Sequence, residues 1–203
     1  MTTRCLPLII TTACMALASG LEAKSKLGEY FLGFSYFAGD ASTSDSDVLD
    51  FEIGNPISAS TDYRLGLSWI NVDAQGTGDD TSWWLDIDMV YHYDDYMNGG
   101  GMFRPYVSGG IGYMNDSANV ILGKNGLNWK LAVGSEFLFT DSFSASVGLN
   151  FYGMWSHFAQ NDSEWEFSLL NWFGEVHGVG LEYRHANDMD IDYIGLRYLY
   201  SWQ

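Results

Sequence analysis

Four cations, Arg64, Lys130, Arg184 and Arg197, stand opposite stripes of large apolar residues at every-second-residue spacing. Asp50, Glu52, Asp86, Asp88, Glu136 and Glu182 occupy the same kind of position, among Gly, Ser and Ala. Charges of both signs on faces otherwise made of small residues can pair in a confined space, where a charge without a partner is costly. These residues are the candidate site, a charge network lining a narrow interior. His92, in line with Asp86 and Asp88, fits the same interior as a hydrogen-bonding side chain. The acidic runs Asp188, Asp190, Asp192 and Asp40, Asp45, Asp47 offer hard oxygen ligands of the kind Ca²⁺ takes. Neither has the glycine and closing glutamate of an EF-hand loop, so both read as solvated turns. No cofactor and no resident metal are expected, and nothing resembles a nucleotide site.

The start of the chain carries Arg4 and then an apolar run from Leu6 to Leu17, too short to span a bilayer as a helix. Small residues follow, as in a secretory signal. Residues 1–23 are therefore expected to be a signal peptide, cut after Ala23, with Ala18 as the alternative, leaving 24–203 as one domain. Thr11-Thr12-Ala13 before Cys14 is a poor match to a lipid-attachment site. Both cysteines, Cys5 and Cys14, fall inside the signal, so the mature chain would have no thiol for a disulfide, a cluster or a nucleophile. The net charge of -17 disfavours nucleic acid and suits a surface facing small cations, or divalent ions bridging the protein to anionic lipopolysaccharide, although solvated acidic loops are the commoner source of such a balance. A composition 47% hydrophobic and 16% aromatic argues for a packed structure.

Segments of about ten residues alternate large apolar with small or polar side chains, separated by turns rich in Gly, Asp and Asn. Tyr30, Leu32, Phe34 and Tyr36 form the first stripe, blurred by Phe31 and Phe37. Leu49, Phe51 and Ile53 form the second, between Val48 and Gly54; Tyr63, Leu65, Leu67 and Trp69 form the third. Leu85, Ile87, Met89, Tyr91 and Tyr93 follow, then a glycine-rich, weakly patterned strand near 105–114. Trp129, Leu131, Val133 and Phe137 make the sixth, and Phe143, Ala145, Val147, Leu149 and Phe151 the seventh, across the tight turn 140–142. Residues 163–173 fit either a helix with Trp165, Leu169 and Trp172 on one face, or a strand with Trp165, Phe167 and Leu169 on one face. With strands at 176–184 and 191–202, an even count requires a strand there. The chain is thus expected to be an all-β, antiparallel up-and-down transmembrane barrel of about ten strands, or of eight if 163–184 is one surface loop. Loops near 38–47, 71–81, 115–126, 155–162 and 185–190 would face outside, with 140–142 in the periplasm.

A soluble barrel of lipocalin type alternates in the same way with its faces inverted. Aromatic residues at the ends of the apolar stripes, small residues on the opposite face and recurring opposite charges there favour lipid outside.

Residues 104–113 (Arg-Pro-Tyr-Val-Ser-Gly-Gly-Ile-Gly-Tyr), 129–137 and 143–152 resemble the small outer-membrane barrel superfamily that includes OmpA-like, OmpX-like and opacity-type proteins. The ending is similar to that family's C-terminal assembly signal, with Tyr198, Tyr200 and Trp202 alternating, although Gln203 follows the aromatic. The resemblance implies insertion into the cell outer membrane by barrel-assembly machinery, with outer-membrane lipid and lipopolysaccharide as partners and an extracellular ligand the sequence does not name.

Two enzyme families also enter. Residues 63–69 and His185-Ala186-Asn187 are similar to lipid A deacylases of the PagL type, whose pattern puts a serine two residues after the histidine. That position is Asn187 here, and Ala159 after His157, so the nucleophile is missing. Omptin-type surface proteases use an Asp-Asp pair and a His-Asp pair to activate water. Asp79-Asp80 and His157 with Asp162 resemble that set in a chain with little loop for a substrate cleft. The expectation is a non-enzymatic barrel with a structural or surface-interaction role and a side-chain-filled lumen. The alternatives are an enzyme of either type or a narrow channel.

Overall fold

The computed structural model describes residues 25–40, 44–74, 78–93, 103–116, 125–158 and 161–202. Ten strands run in chain order: β1 (Tyr30–Asp40), β2 (Ser44–Ser58), β3 (Thr61–Ala74), β4 (Gly78–His92), β5 (Phe103–Asp116), β6 (Asn125–Leu138), β7 (Phe143–Met154), β8 (Asn161–Phe173), β9 (His177–Ala186) and β10 (Ile191–Trp202). Each pairs with its chain neighbours, and β1 pairs with β10, so the antiparallel sheet closes with no free edge. The closing register sets Tyr30 opposite Trp202 and Asp40 opposite Asp192. β1 begins and β10 ends at one mouth, here called the terminal mouth; the opposite one is the distal mouth.

Residues 161–173 are a strand, which makes the count ten and removes both the helix and the eight-strand alternative. The side chains show why. A helix would put Trp165 and Trp172 on one face, whereas Trp165 is 50% exposed on the outside and Trp172 only 3% exposed on the inside.

The strands run further than the apolar stripes mark. β2 starts at Ser44 and β3 ends at Ala74, and Ser44 pairs with Ala74 while Asp73 pairs with Asp79. Parts of the stretches expected as loops, 38–47, 71–81 and 115–126, are therefore ladder. A barrel wall that rises above lipid keeps its backbone pairing but no longer needs an apolar outer face, so hydrophobic alternation is silent there.

Outward positions carry the apolar residues, among them Leu32, Phe34, Phe51, Leu67, Ile87, Val107, Ile111, Leu131, Val133, Phe167, Leu196 and Tyr198, all exposed. Aromatic residues gather towards both ends of this belt. Tyr30 lies 6.2 Å from Trp202, and Phe103 lies 5.4 Å from Phe137, nearer the terminal mouth. Trp83 lies 5.7 Å from Tyr113, and Trp129 lies 5.3 Å from Phe158, nearer the distal mouth.

The interior holds the charges and two apolar layers. Phe31, Leu170, Trp172 and Leu199 cluster near the terminal mouth. Phe37, Val48, Ile70, Ala186 and Tyr193 cluster near the distal mouth, with Trp84, Met189 and Ile191 packed on them. Phe31 and Phe37, which blur the first stripe, are 1% and 0% exposed and belong to these layers. A Cβ at Gly54 would strike the Phe31 ring, and one at Gly195 the Phe37 ring. Gly54 and Gly195 are the registered neighbours of Phe31 and Phe37. Large inward side chains in a narrow barrel need such a small partner on the next strand.

Candidate functional site

Between the two apolar layers the lumen is lined by charge. Arg184 on β9 reaches across β10 and β1 to place Nη2 2.9 Å from Asp50 Oδ2 on β2, and its Nε donates to Glu182 Oε1 at 2.7 Å. Its guanidinium also lies 4.0 Å from the centroid of Phe37, so the distal apolar layer rests on the charged one. Arg197 Nη2 lies 2.9 Å from Glu182 Oε2, and its Nε donates to Ser35 Oγ at 3.1 Å. Glu182, with a fully buried side chain, is thus held between two guanidinium groups. That geometry answers the cost of burying a carboxylate.

On the facing wall, Lys130 of β6 lies 3.4 Å from Asp88 of β4. β5 stands between them, and its registered residue is Gly110, where a Cβ would collide with the Asp88 carboxylate. Gly110, one of the glycines that weaken the pattern of β5, is the space this ion pair crosses. Gly66 leaves room beside Asp86, whose carboxylate would lie 3.1 Å from an added Cβ. Arg64 lies 3.7 Å from Glu52. Asn150 donates to Glu164 at 3.4 Å and to Glu166 at 3.3 Å.

A cavity of about 150 Å³ sits in this layer. Its acids are Asp50, Glu52, Asp86, Asp88, Glu164 and Glu166; its cations are Lys26, Arg64, Lys130, Arg184 and Arg197. Such a polar space suits a few ordered waters bridging charges.

Of the sequence-selected charges, all but Glu136 and Glu182 line this cavity, and Glu182 is paired with Arg184 and Arg197, which do. Glu136 lies a layer nearer the terminal mouth, where it accepts hydrogen bonds from Ser25 Oγ and from the Lys26 backbone N–H, the latter at 3.4 Å. His92 is wholly buried at that mouth, with Nε2 3.5 Å from Asp62 Oδ1. Tyr198, Tyr200 and Trp202 face outward on β10, with Tyr200 stacked on Trp202 at 6.3 Å.

Lys26, Asp62, Arg104, Glu164 and Glu166 also serve the interior and were missed by the sequence reading. Asp62, Arg104, Glu164 and Glu166 continue the inward parity of strands already marked, a signal that was available. Lys26 precedes β1 and carries no periodicity.

The enzyme candidates are placed as follows. His185 Nδ1 lies 2.9 Å from Asp192 Oδ1, which also accepts the Tyr183 hydroxyl at 2.6 Å, all on the outer surface near the distal mouth. Asn187, at the position of the deacylase serine, donates its amide to the Ser163 carbonyl and to Ser163 Oγ, both at 2.9 Å. Asp162 is buried, accepting backbone N–H groups from Ser163 at 2.6 Å and Asp188 at 2.9 Å. The side chains of Asp79, Asp80 and His157 lie outside the described residues. Among the described residues no three His, Cys, Asp or Glu side chains gather as a metal site.

An apolar exterior belt, a charged interior and full closure define a barrel made for lipid. The chain is similar to a solved outer membrane channel from Pseudomonas putida F1, with a TM-score of 0.58 and 9% identity, over 92% of this chain and 100% of that one. The fold is that of an outer-membrane barrel. Looser likenesses are the KdgM porin in complex with disordered oligogalacturonate, with a TM-score of 0.48 and 7% identity over 85% of this chain and 99% of that one, and the N-terminal barrel domain of Pseudomonas aeruginosa OprF, with 0.39 and 16% over 85% and 98%. No protein-family model matches the chain, and no curated protein does.

Proposed function

We propose that this integral outer-membrane barrel is a structural or surface-interaction protein with a side-chain-filled lumen, and not a general porin or an enzyme. The observation that carries the reading is the stacking of the interior. Apolar layers near both mouths enclose a paired charge layer, and rings span the lumen, as where Trp84 of β4 meets Tyr152 of β7 at 5.5 Å. Side chains fill the interior of a barrel of about eight strands, whereas porins of about sixteen to eighteen strands leave an aqueous channel, and ten strands lie near the filled end. Against catalysis stands Asn187, engaged with Ser163 where a deacylase would hold its serine.

The reading includes the features the chain shares with small outer-membrane barrels of the OmpA-like, OmpX-like and opacity type. Residues 1–23 direct export, the outward Tyr198, Tyr200 and Trp202 are read by barrel-assembly machinery, and lipid and lipopolysaccharide are the partners of the belt and the acidic rim.

Planar-bilayer recordings test the closed lumen. Wild-type protein is expected to give little steady conductance, with leak rising in Arg64→Ala/Arg197→Ala as paired charges are lost. A narrow channel is the second reading, favoured by the charged cavity and by the similarity to a protein described as an outer membrane channel. Large, stable openings from the unmodified barrel would decide for it.

A further inference from the structure

The terminal apolar layer covers only part of the cross-section. Phe31, Leu170, Trp172 and Leu199 come from β1, β8 and β10, while β3 to β6 present Asp62, His92, Arg104 and Glu136 at that mouth. That polar half is occupied by the chain itself, ahead of β1. Arg104 Nη1 donates to Ser25 Oγ at 2.8 Å and to the Leu27 carbonyl at 2.7 Å. Ser25 Oγ in turn donates to Glu136 and accepts the Leu27 N–H at 2.8 Å. The Gly28 N–H bonds Asp62 Oδ2 at 2.9 Å, in a turn whose φ of +81° suits glycine. Glu29 accepts the Ser201 hydroxyl of β10 at 3.2 Å.

Two side chains of the segment enter the barrel. Leu27 is 5% exposed, and the Lys26 ammonium lies 2.7 Å from Glu52 Oε2 of β2. The segment is therefore fastened to β2, β3, β5, β6 and β10, on both sides of the mouth. A small cavity of about 50 Å³ is lined by Lys26 and Leu27 together with Glu136, and Lys26 also lines the larger cavity above it. The two cavities share Lys26 with Arg64, Tyr106, Glu166 and Arg197, and of these Lys26 alone belongs to the segment ahead of β1.

We propose that residues 25–29 are an intramolecular plug of the terminal mouth, and that this mouth is a recess built to hold a short peptide by carboxylates, a guanidinium and one apolar seat. The proposal rests on the closed-lumen reading and says which part of the molecule closes that end. It carries a consequence for ions. The central cavity sets six acids against five cations, and without Lys26 the cations fall to four, so a barrel with the plug released should prefer cations.

The test is Lys26→Ala/Leu27→Ala in the full chain. Both positions lie outside the ladder, and the heat-dependent gel shift reports that the barrel still closes. Steady conductance at least tenfold above wild type, with cation selectivity, is the expected result. A folded double variant no leakier than wild type overturns the plug. Should the wild type itself conduct strongly, the closed-lumen reading fails, and the plug is judged by the same ratio of variant to wild type. Amide hydrogen exchange on wild-type protein in detergent gives an answer even where the variant fails to fold. Residues 26–28 should exchange at least a hundredfold more slowly than a free peptide, and exchange at the free-peptide rate overturns the proposal.

Discussion

At the scale of single residues, the side chain at each position is decided by which of two media it meets. Leu131 and Lys130 are chain neighbours, yet one is 55% exposed on the belt and the other reaches Asp88 through the gap left by Gly110. An arginine facing lipid at mid-membrane costs about 2 to 4 kcal/mol. Leu131→Arg should therefore sharply reduce the assembled fraction, while Asp141→Arg, in an exposed turn, should leave it unchanged, as measured by the folded band on unheated gels. Equal assembly of the two would mean that the faces are inverted. Inside, removing one partner of a buried pair is worse than removing both. Arg184→Ala should destabilise by about 3 kcal/mol in urea unfolding, the low end for such a loss because cavity water can solvate what remains. Adding Asp50→Asn should recover part of that, since the carboxylate left at 2.9 Å from the missing guanidinium is then neutral.

At the scale of elements, alternation made most of the barrel legible because period two is written by the lipid belt. β7 and the tight turn before it were readable from Phe143, Ala145, Val147, Leu149 and Phe151 alone, and β7 is where the seventh stripe put it. β8 was legible only through parity, since Trp165 and Trp172 satisfy a helix as well as a strand until the barrel gives them opposite sides. The upper ends of β2, β3 and β4 were not legible, because no apolar face marks a wall above the membrane. Phe31 and Phe37 were misleading by type: an inward aromatic is tolerated where Gly54 or Gly195 lies beside it, a pairing between strands that single-strand periodicity does not contain. Topology is testable at this scale. If the mouth where β1 begins and β10 ends is periplasmic, ten strands put the β7–β8 and β9–β10 connections outside and the β6–β7 turn inside. Tags at Ser156 and Asn187 should be labelled on intact cells and one at Asp141 should not. Labelling of only one of the first two would break the strand count.

At the scale of the whole molecule, stability follows from closure and not from a conventional core. The β1–β10 ladder pairs eleven residues of β1 with β10, so no edge strand is left to open the sheet from one side. Outside, the apolar belt is exposed among the described residues, which in water would be a large aggregation-prone surface and in a bilayer is solvated by lipid. Unfolding in lipid or detergent must break the ladder as a unit, leaving backbone groups unpaired in an apolar medium at several kcal/mol each. The closed form should thus survive dodecyl sulfate at room temperature and yield only on heating. Unboiled and boiled samples are expected to migrate at different positions, and the protein should stay with outer membranes through carbonate or urea extraction. No helix among the described residues is long and apolar enough to cross a membrane, and the exposed apolar belt of the strands is what should retain it. Recovery of the native protein in the soluble periplasmic fraction without detergent would mean that the belt faces another protein or the barrel interior, and the lipid-facing assignment of β1 to β10 would fall with it.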